Sequence, residues 1–295
     1  MLVDLHTHSS FSDGRYTPSQ LVEAAVAKGI GVLAITDHDS WNGIEEATTR
    51  IRELKTSLQL ICGVELTTQY FNGESVHVLG YNVSRSYKPL KERMDEMRQG
   101  REQRLAKMLA KLKALGYEIE AIHCDPLNRA VGRPHVAKAL VAKGYFATVQ
   151  EVFDTLLYRG GPAYVPQSKM EPQEAVALIH AAGGLAVLAH PYELSSREIP
   201  QKLLAELDFD GVEAYHPSAF KSSHLGALIK EQGFYRPGED HREIGFWLQE
   251  ARAKGILVSG GSDFHGITGR IPEELGQWQV EHTAVAGLLQ KLGIL

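Results

Sequence analysis

The chain alternates short, continuous apolar runs with longer stretches whose apolar positions recur every three or four residues. Seven runs read as β-strands: one from Leu2 ending in Val3-Asp4-Leu5, then Gly31–Ile35, Leu58–Val64, Ser75–Tyr81, Leu185–Ala189, Gly211–Ala214 and Ile256–Ser259. Runs with little polar alternation fit strands covered on both faces. Thr17-Pro18-Ser19-Gln20 opens the first helix with a capping hydroxyl, a first-turn proline and a glutamine three positions on, and Gly29 stops it. Helical spacing also covers Gly43–Lys55, Pro172–Ala182, Pro200–Leu207, Ser222–Gln232 and Glu243–Ala253. Strands alternating with helices predict a parallel barrel or a doubly wound sheet.

Between the fourth and fifth strands the texture changes. Tyr87–Leu115 is one long helical pattern, followed by helical runs at Pro134–Lys143 and Thr148–Leu157 and by the loop Arg159-Gly160-Gly161-Pro162. No strongly apolar run interrupts them. The expected organisation is a barrel domain built from residues 1–86 and 169–295, with residues 87–168 as an inserted helical domain.

The polar residues that end the strands carry the chemistry. His6 and His8 lie two apart after the first strand, so an extended backbone points both to one face, and a Ser/Gly-rich turn brings Asp13 back over them. His38 follows the second strand, Glu65 the third and His190 the fifth; His77 stands near the start of the fourth, and Asp263 and His265 follow the last. Ligand-type residues at strand carboxyl ends favour the barrel, because the loops of that face build the site. Six imidazoles and three carboxylates exceed what one or two ions need. Mixed nitrogen and oxygen donors suit Mn²⁺, Fe²⁺ or Zn²⁺ better than a calcium or magnesium cage. Asp37 and Asp39 flank His38 and read as partners that orient imidazoles. His216 follows a strand and is a candidate to line the pocket; Trp41, Tyr192 and Tyr215 read as core or rim packing, with stacking on a base as the alternative; His180, within an apolar helix, reads as a packing residue. There is neither a G-x-S-x-G elbow nor a Walker-type phosphate loop, so covalent acyl chemistry and P-loop nucleotide binding are unsupported.

Composition refines this picture at two points. The net charge of −5 is uneven: Lys91 to Lys143 holds 12 Lys/Arg against 7 Asp/Glu. That segment is either a solvated helical face or a surface turned toward an anionic substrate. The acidic remainder argues against tight binding of long duplex nucleic acid, which needs many phosphate contacts. Cys62 and Cys124 are far apart and lack C-x-x-C spacing, no apolar run approaches the roughly 20 residues that span a bilayer, and the N-terminus lacks a signal-peptide layout. A cytoplasmic protein with reduced thiols and no membrane partner is expected. The sequence sets no oligomeric state.

The runs DLHTHSSFSDG, ITDHD, GVEL, HVLG, LAHP and GGSDFH resemble the motifs of the polymerase and histidinol phosphatase (PHP) family of the amidohydrolase superfamily, and they span everything outside the insertion. The resemblance implies a distorted (β/α)7 barrel. It also implies likeness to members with an inserted helical domain that act on 3′,5′-nucleoside bisphosphates or degrade short RNA from its 5′ end. Further, it implies three divalent ions, Mn²⁺ foremost, in one cluster. His6, His8, Glu65 and Asp263 would hold the first ion; Glu65 would bridge to a second held by His77 and His190; Asp13, His38 and His265 would hold the third. A hydroxide between two ions, positioned by Glu65, Asp263 and His190, would attack phosphorus. Arg133 and His135 match an Arg-x-His of the family and, with His216, are the expected substrate-binding residues. Pro134 opens a helix there, whose amino end favours anions.

The expected function is therefore a metal-dependent phosphoesterase that hydrolyses phosphate monoesters of small nucleotides or short 5′-phosphorylated oligonucleotides. Histidinol-phosphate phosphatase is the alternative from the same family. C–N hydrolysis, as elsewhere in the superfamily, lacks the bridging lysine common there; Glu65 takes its place. A non-catalytic, metal-stabilised module would be expected to have lost ligands, and all nine are present. Two departures bear on substrate: Tyr192-Glu193 stands where relatives often have an arginine, and Phe234–Arg242 is long.

Overall fold

The computed structural model describes residues 1–71, 73–121, 132–166 and 170–295; Cys124 and the expected boundary at Ser168 lie outside the described residues. The chain divides into two compact units, residues 1–91 with 170–295, and 92–169.

The first unit is built on eight strands: β1 (Leu2–Asp4), β2 (Ile30–Ile35), β3 (Gln59–Gln69), β4 (Ser75–Tyr81), β5 (Leu185–Leu188), β6 (Gly211–Tyr215), β7 (Leu257–Gly260) and β8 (Val280–Glu281). They form one sheet in the order β7-β6-β5-β4-β3-β2-β1-β8. The strands β1, β2 and β3 pair in parallel, as do β5, β6 and β7, with helices in the connections. The helix after β1, Pro18–Ala27, carries the expected reciprocal cap, with Gln20 N–H donating to Thr17 Oγ1 at 3.2 Å and Thr17 N–H to Gln20 Oε1 at 2.9 Å.

The expectation of an all-parallel sheet is corrected at β4, which runs antiparallel to both β3 and β5. Its cause is the length of the connection. Tyr70 N–H donates to Glu74 O at 2.9 Å and Gly73 N–H to Tyr70 O at 2.8 Å, so the chain reverses within a few residues. A parallel neighbour would need a crossover of about a dozen residues or more. The hairpin also carries β3 on to Gln69, past the Val64 expected from its apolar run. The two-residue β8, too short to show a pattern, was not expected; it pairs antiparallel with Leu2 and Val3.

Beyond β8, the same edge of β1 is taken by the continuation of β7. Leu5 N–H donates to Gly260 O at 3.3 Å, Asp263 N–H to His6 O at 2.8 Å and His8 N–H to Phe264 O at 2.9 Å. These bonds close the sheet into a nearly complete barrel at its carboxyl-end rim. The closure requires glycine at 261, where an added Cβ would stand 2.4 Å from His6 N. Leu5, Leu33, Leu66, Leu79 and Val187 are fully buried in this unit, and each contributes roughly 1.5–3 kcal/mol by leaving water. Tyr81 crosses the barrel interior, its hydroxyl donating to Leu5 O at 2.8 Å and lying 2.9 Å from Ser259 Oγ.

Among the described residues the second unit is helical. It contains most of Lys88–Ala114, then Arg133–Ala142 and Val149–Val152, which runs on as a π-helical turn over Phe153–Leu157. Its own core includes Met108, Leu112, Val136, Leu140 and Leu157. Among the described residues no helix is long and apolar enough to cross a membrane.

Candidate metal centre

The nine residues singled out at or near strand ends converge on the carboxyl-end rim of the barrel. They hang from consecutive rungs of the sheet. Thr36 N–H donates to Thr7 O at 2.8 Å, beside His6 and His8. His38 and Glu65 face each other as a parallel bridge, and Thr67 is paired with His77. Ala189 N–H donates to His77 O at 3.2 Å, one residue before His190. His77 sits at the amino end of its strand and still reaches the rim, because β4 runs opposite to its neighbours. His190 and Asp263 reach it by leaving ordinary backbone geometry, with φ of 24° and 51°.

Glu65 is the centre. Its carboxylate is buried, and five imidazoles lie within 3.5 Å of it. Oε1 faces His77 Nδ1 at 2.9 Å, His190 Nε2 at 3.0 Å and His6 Nε2 at 3.5 Å. Oε2 faces His38 Nδ1 at 2.9 Å and His8 Nε2 at 3.3 Å. On one side Asp263 Oδ1 lies 3.1 Å from His8 Nε2 and 3.4 Å from His6 Nε2. On the other, Asp13 Oδ2 lies 3.2 Å from His265 Nε2 and 3.8 Å from His38 Nε2.

Several of these atoms approach as donors around a common point rather than as hydrogen-bond partners. His6 Nε2 and His8 Nε2 face each other at 3.1 Å. Asp13 Oδ1, Glu65 Oε2, His190 Nδ1 and His216 Nε2 are buried with no hydrogen bond among the described residues. Four overlapping groups bring their offered atoms within 4.8 Å of one another: His8, Asp13, His38 and His265; His6, His8 and Glu65; His38, Glu65 and His77; and His6, His216 and Asp263. This donor set fits divalent ions with nitrogen and oxygen preferences.

The electrostatics point the same way. Burial pushes the Glu65 carboxyl up, but His38, His77 and His6 outweigh it and hold the group well below the usual carboxylate range. Asp13 is likewise held low against burial by His265 and His38, and Asp263 by Arg270, His265 and His6. Burial and the neighbouring His265 lower His8 to about 3, which keeps its lone pair available. Burial opposes charge on His38 and His190 too, but Glu65 and Asp13 raise the first to about 9, and Glu193 and Glu65 the second to about 9. Three buried, ionised carboxylates call for cations.

A second row of carboxylates holds the first. Glu213, buried in β6, lies 3.0 and 3.2 Å from His6 Nδ1 and accepts His190 N–H at 2.9 Å. Asp37 accepts Ser9 N–H at 2.7 Å and the Ser9 and Ser12 hydroxyls at 2.5 and 2.6 Å, pinning the turn that carries Asp13. Asp4 accepts the Ser262 backbone and hydroxyl at 2.9 and 2.6 Å, and burial pushes its carboxyl up to about 7. Sequence reading found Asp37 but missed Glu213, Asp4 and Arg270. A lone carboxylate inside the apolar run Gly211–Tyr215 was the available signal for Glu213.

The other candidates have varied positions. His216 is buried, its Nδ1 accepting Ser218 N–H at 3.1 Å and its Nε2 3.7 Å from Asp263 Oδ2. It therefore stands among the metal-type donors as well as at the pocket wall. Trp41 and Tyr215 are buried, and Tyr192 donates its hydroxyl to Ala214 O at 2.5 Å. His180 is half-buried outside the metal centre, its Nε2 2.8 Å from Asp210 Oδ2. Arg133 and His135 belong to the second unit. The Arg133 guanidinium donates to Leu157 O at 3.3 Å and lies over the Phe153 and Tyr164 rings, and His135 Nδ1 accepts Gly132 N–H at 3.2 Å.

Because Glu213 fixes which way His6 points, Glu213→Gln is expected to weaken Mn²⁺ binding by about 10–100-fold, the usual effect of losing an orienting carboxylate. Calorimetric Mn²⁺ titration, with circular dichroism to verify folding, measures it; wild-type affinity in a folded variant would remove Glu213 from the ligand support.

Comparison with known proteins places this geometry. The 5′-3′ exoribonuclease Rnm of Escherichia coli K12 is 34% identical over 270 residues, covering 90% of this chain and 85% of that protein. The 3′,5′-nucleoside bisphosphate phosphatase of Chromobacterium violaceum is 31% identical over 264 residues, covering 82% and 90%. A crystal structure from Bifidobacterium adolescentis, described as a metal-dependent phosphoesterase, superposes with a TM-score of 0.72 at 29% identity, over 98% of this chain and 95% of that one. The family model of the PHP domain matches residues 4–258, and the chain belongs to the PHP domain family.

Proposed function

We propose that the protein is a metal-dependent phosphoesterase that hydrolyses phosphate monoesters of small nucleotides, of the 3′,5′-nucleoside bisphosphate type, or of short 5′-phosphorylated oligonucleotides. The observation that carries this reading is the buried Glu65 carboxylate inside five imidazoles, flanked by Asp13 and Asp263. Relatives that act on nucleoside bisphosphates and on RNA ends support the substrate class.

In this reading His6, His8, Glu65 and Asp263 would hold one divalent ion, Glu65, His77 and His190 a second, and Asp13, His38 and His265 a third. Mn²⁺ is the preferred metal, with Fe²⁺ and Zn²⁺ as substitutes. Bound ions of this kind lower the pKa of water to about 7 and neutralise phosphoryl oxygens. The two oxygens of Glu65, turned toward different imidazole sets, suit it to join two positions. Glu65, Asp263 and His190 are the groups that would position the attacking water. Glu213 keeps His6 Nε2 turned inward. Arg133 and His135 would grip a phosphate of the substrate, the guanidinium through two parallel hydrogen bonds. The inserted helical unit, the place of Arg133 in it and a cytoplasmic setting belong to the same proposal.

One substrate panel tests it: the full chain with Mn²⁺ against nucleoside 3′,5′-bisphosphates, nucleoside monophosphates, histidinol phosphate and short 5′-phosphorylated RNA. Turnover of histidinol phosphate alone would transfer the protein to the amino-acid phosphatases. No turnover with a full metal complement would leave a structural metal module.

Two substitutions sharpen the reading. Glu65→Gln retains the shape but removes the shared charge, so both metal content by elemental analysis and turnover should fall steeply; a variant with wild-type values for both would sink the shared-ligand arrangement. On the same panel, Arg133→Ala should lose a charge-assisted contact of about 1.5–3 kcal/mol in kcat/KM. Metal content should hold, and the loss should be larger for substrates with two phosphates than for those with one. Equal kinetics to wild type would return the basic segment to a solvated face.

A further inference from the structure

Against the metal centre, within the barrel unit, lies a cavity of about 370 Å³. Asp263, His216, Arg270, Glu193, Phe220 and Leu225 are among the residues that line it. That volume suits a sugar-sized group better than a large polymer.

Asp263 presents its two oxygens to different partners. Oδ1 faces the His6 and His8 pair. Oδ2 accepts from Arg270 Nη2 at 2.5 Å and lies 3.7 Å from His216 Nε2, an atom with no hydrogen bond among the described residues. Arg270 thus stands one carboxylate away from the imidazole pair, on the cavity side, with 42% of its side chain exposed. Asp263 does not lack positive partners without it: His6, His8, His265 and His216 all lie within 3.7 Å. A guanidinium held beside a cation-binding carboxylate is repelled by the cations unless an anion joins them. Its planar fork of five N–H donors matches a phosphate.

We propose that Arg270 and His216 form the phosphate-binding wall of a substrate cavity, which holds one phosphate of a monoester with its leaving alcohol directed toward Phe220 and Leu225. Glu193 sets the rest of the specificity. Its carboxylate, which accepts Ser218 Oγ–H at 2.7 Å, repels a second phosphate in this cavity and offers an acceptor to hydroxyl groups of a sugar. Arg270 is here a substrate-binding residue, and the assignment rests on the phosphoesterase reading above.

The test uses the full chain loaded with Mn²⁺, with inorganic phosphate as the probe. Arg270→Ala should weaken phosphate affinity, read by calorimetry and as a competitive inhibition constant, by about tenfold or more, the scale of a charge-assisted hydrogen bond. Its metal content should match wild type. Arg270→Lys should recover only part of the loss, since a point charge lacks the fork. Glu193→Gln should shift the ratio of inhibition constants toward a nucleoside 3′,5′-bisphosphate over the monophosphate by about threefold or more, within the 1 kcal/mol scale of a partly exposed charge. Unchanged phosphate affinity in Arg270→Ala overturns the assignment. So does a loss of metal together with affinity, which would make Arg270 a positioning residue for Asp263. An unchanged ratio in Glu193→Gln overturns the one-phosphate specificity. If wild type neither binds phosphate nor hydrolyses any ester, the phosphoesterase reading and this one fall together; if wild type does both and Arg270→Ala matches it, only this one falls.

Discussion

A single buried carboxylate, Glu65, organises the barrel rim. Taking such a charge out of water is costly, and removing one partner from a buried charged group costs about 3–5 kcal/mol. The five imidazoles that surround it come from four places in the chain: the loop after β1, the loop after β2, the start of β4 and the end of β5. Each of those segments must therefore hold its register to a fraction of a side chain. The backbone bonds that run from Thr36 to Thr7, from Glu65 to Asp37 and from Ala189 to His77 extend the sheet beyond its strands to supply that register. The site is rigid because it is still part of the sheet.

Three departures from regular structure serve the same centre. The antiparallel β4 turns the amino end of one strand to the rim where the others present their carboxyl ends, which admits His77. His190 and Asp263 adopt left-handed backbone, at a cost of about 1–3 kcal/mol each. The bond from His190 N–H to Glu213, and those from Asp263 N–H to His6 O and from Arg270 to Asp263, hold them there. Asp39, next to the candidate ligand His38, shares this backbone, while Lys55 at a helix end and Asn82 adopt it away from the site.

The support behind the imidazoles is itself acidic. Glu213, Asp37 and Asp4 sit one layer below the candidate ligands, each fully or nearly fully buried and each bonded to the segment that carries a ligand. Glu213 is held below its usual range, against burial, by His6 and His216. Asp4 and Asp37 move the other way, because burial there outweighs their serine donors. Glu213 thus sets negative charge directly behind His6 and His190, which favours cations at the centre.

The local patterns carried much of this protein. Short apolar runs marked seven strands, the Thr17–Gln20 cap marked a helix start, and position near strand ends, with the two-residue spacing of His6 and His8, picked out nine residues that the fold brings together. Period-two alternation and strand-end position are local properties, so they can be read without a fold. What the sequence could not decide was direction and depth. A short connection after Gln69 reversed β4, while the apolar run of that strand reads the same in either orientation. Glu213 looked like one carboxylate in an apolar strand; only the closure of the barrel put it beneath His6, 207 positions away in the chain. The partnership of Arg270 with Asp263 depends on a loop that carries no periodic pattern. Local pattern determines elements and candidates, because it rests on neighbours in the chain. Charge compensation between distant segments belongs to tertiary structure, because burial, which sets its strength, exists only once the barrel has closed.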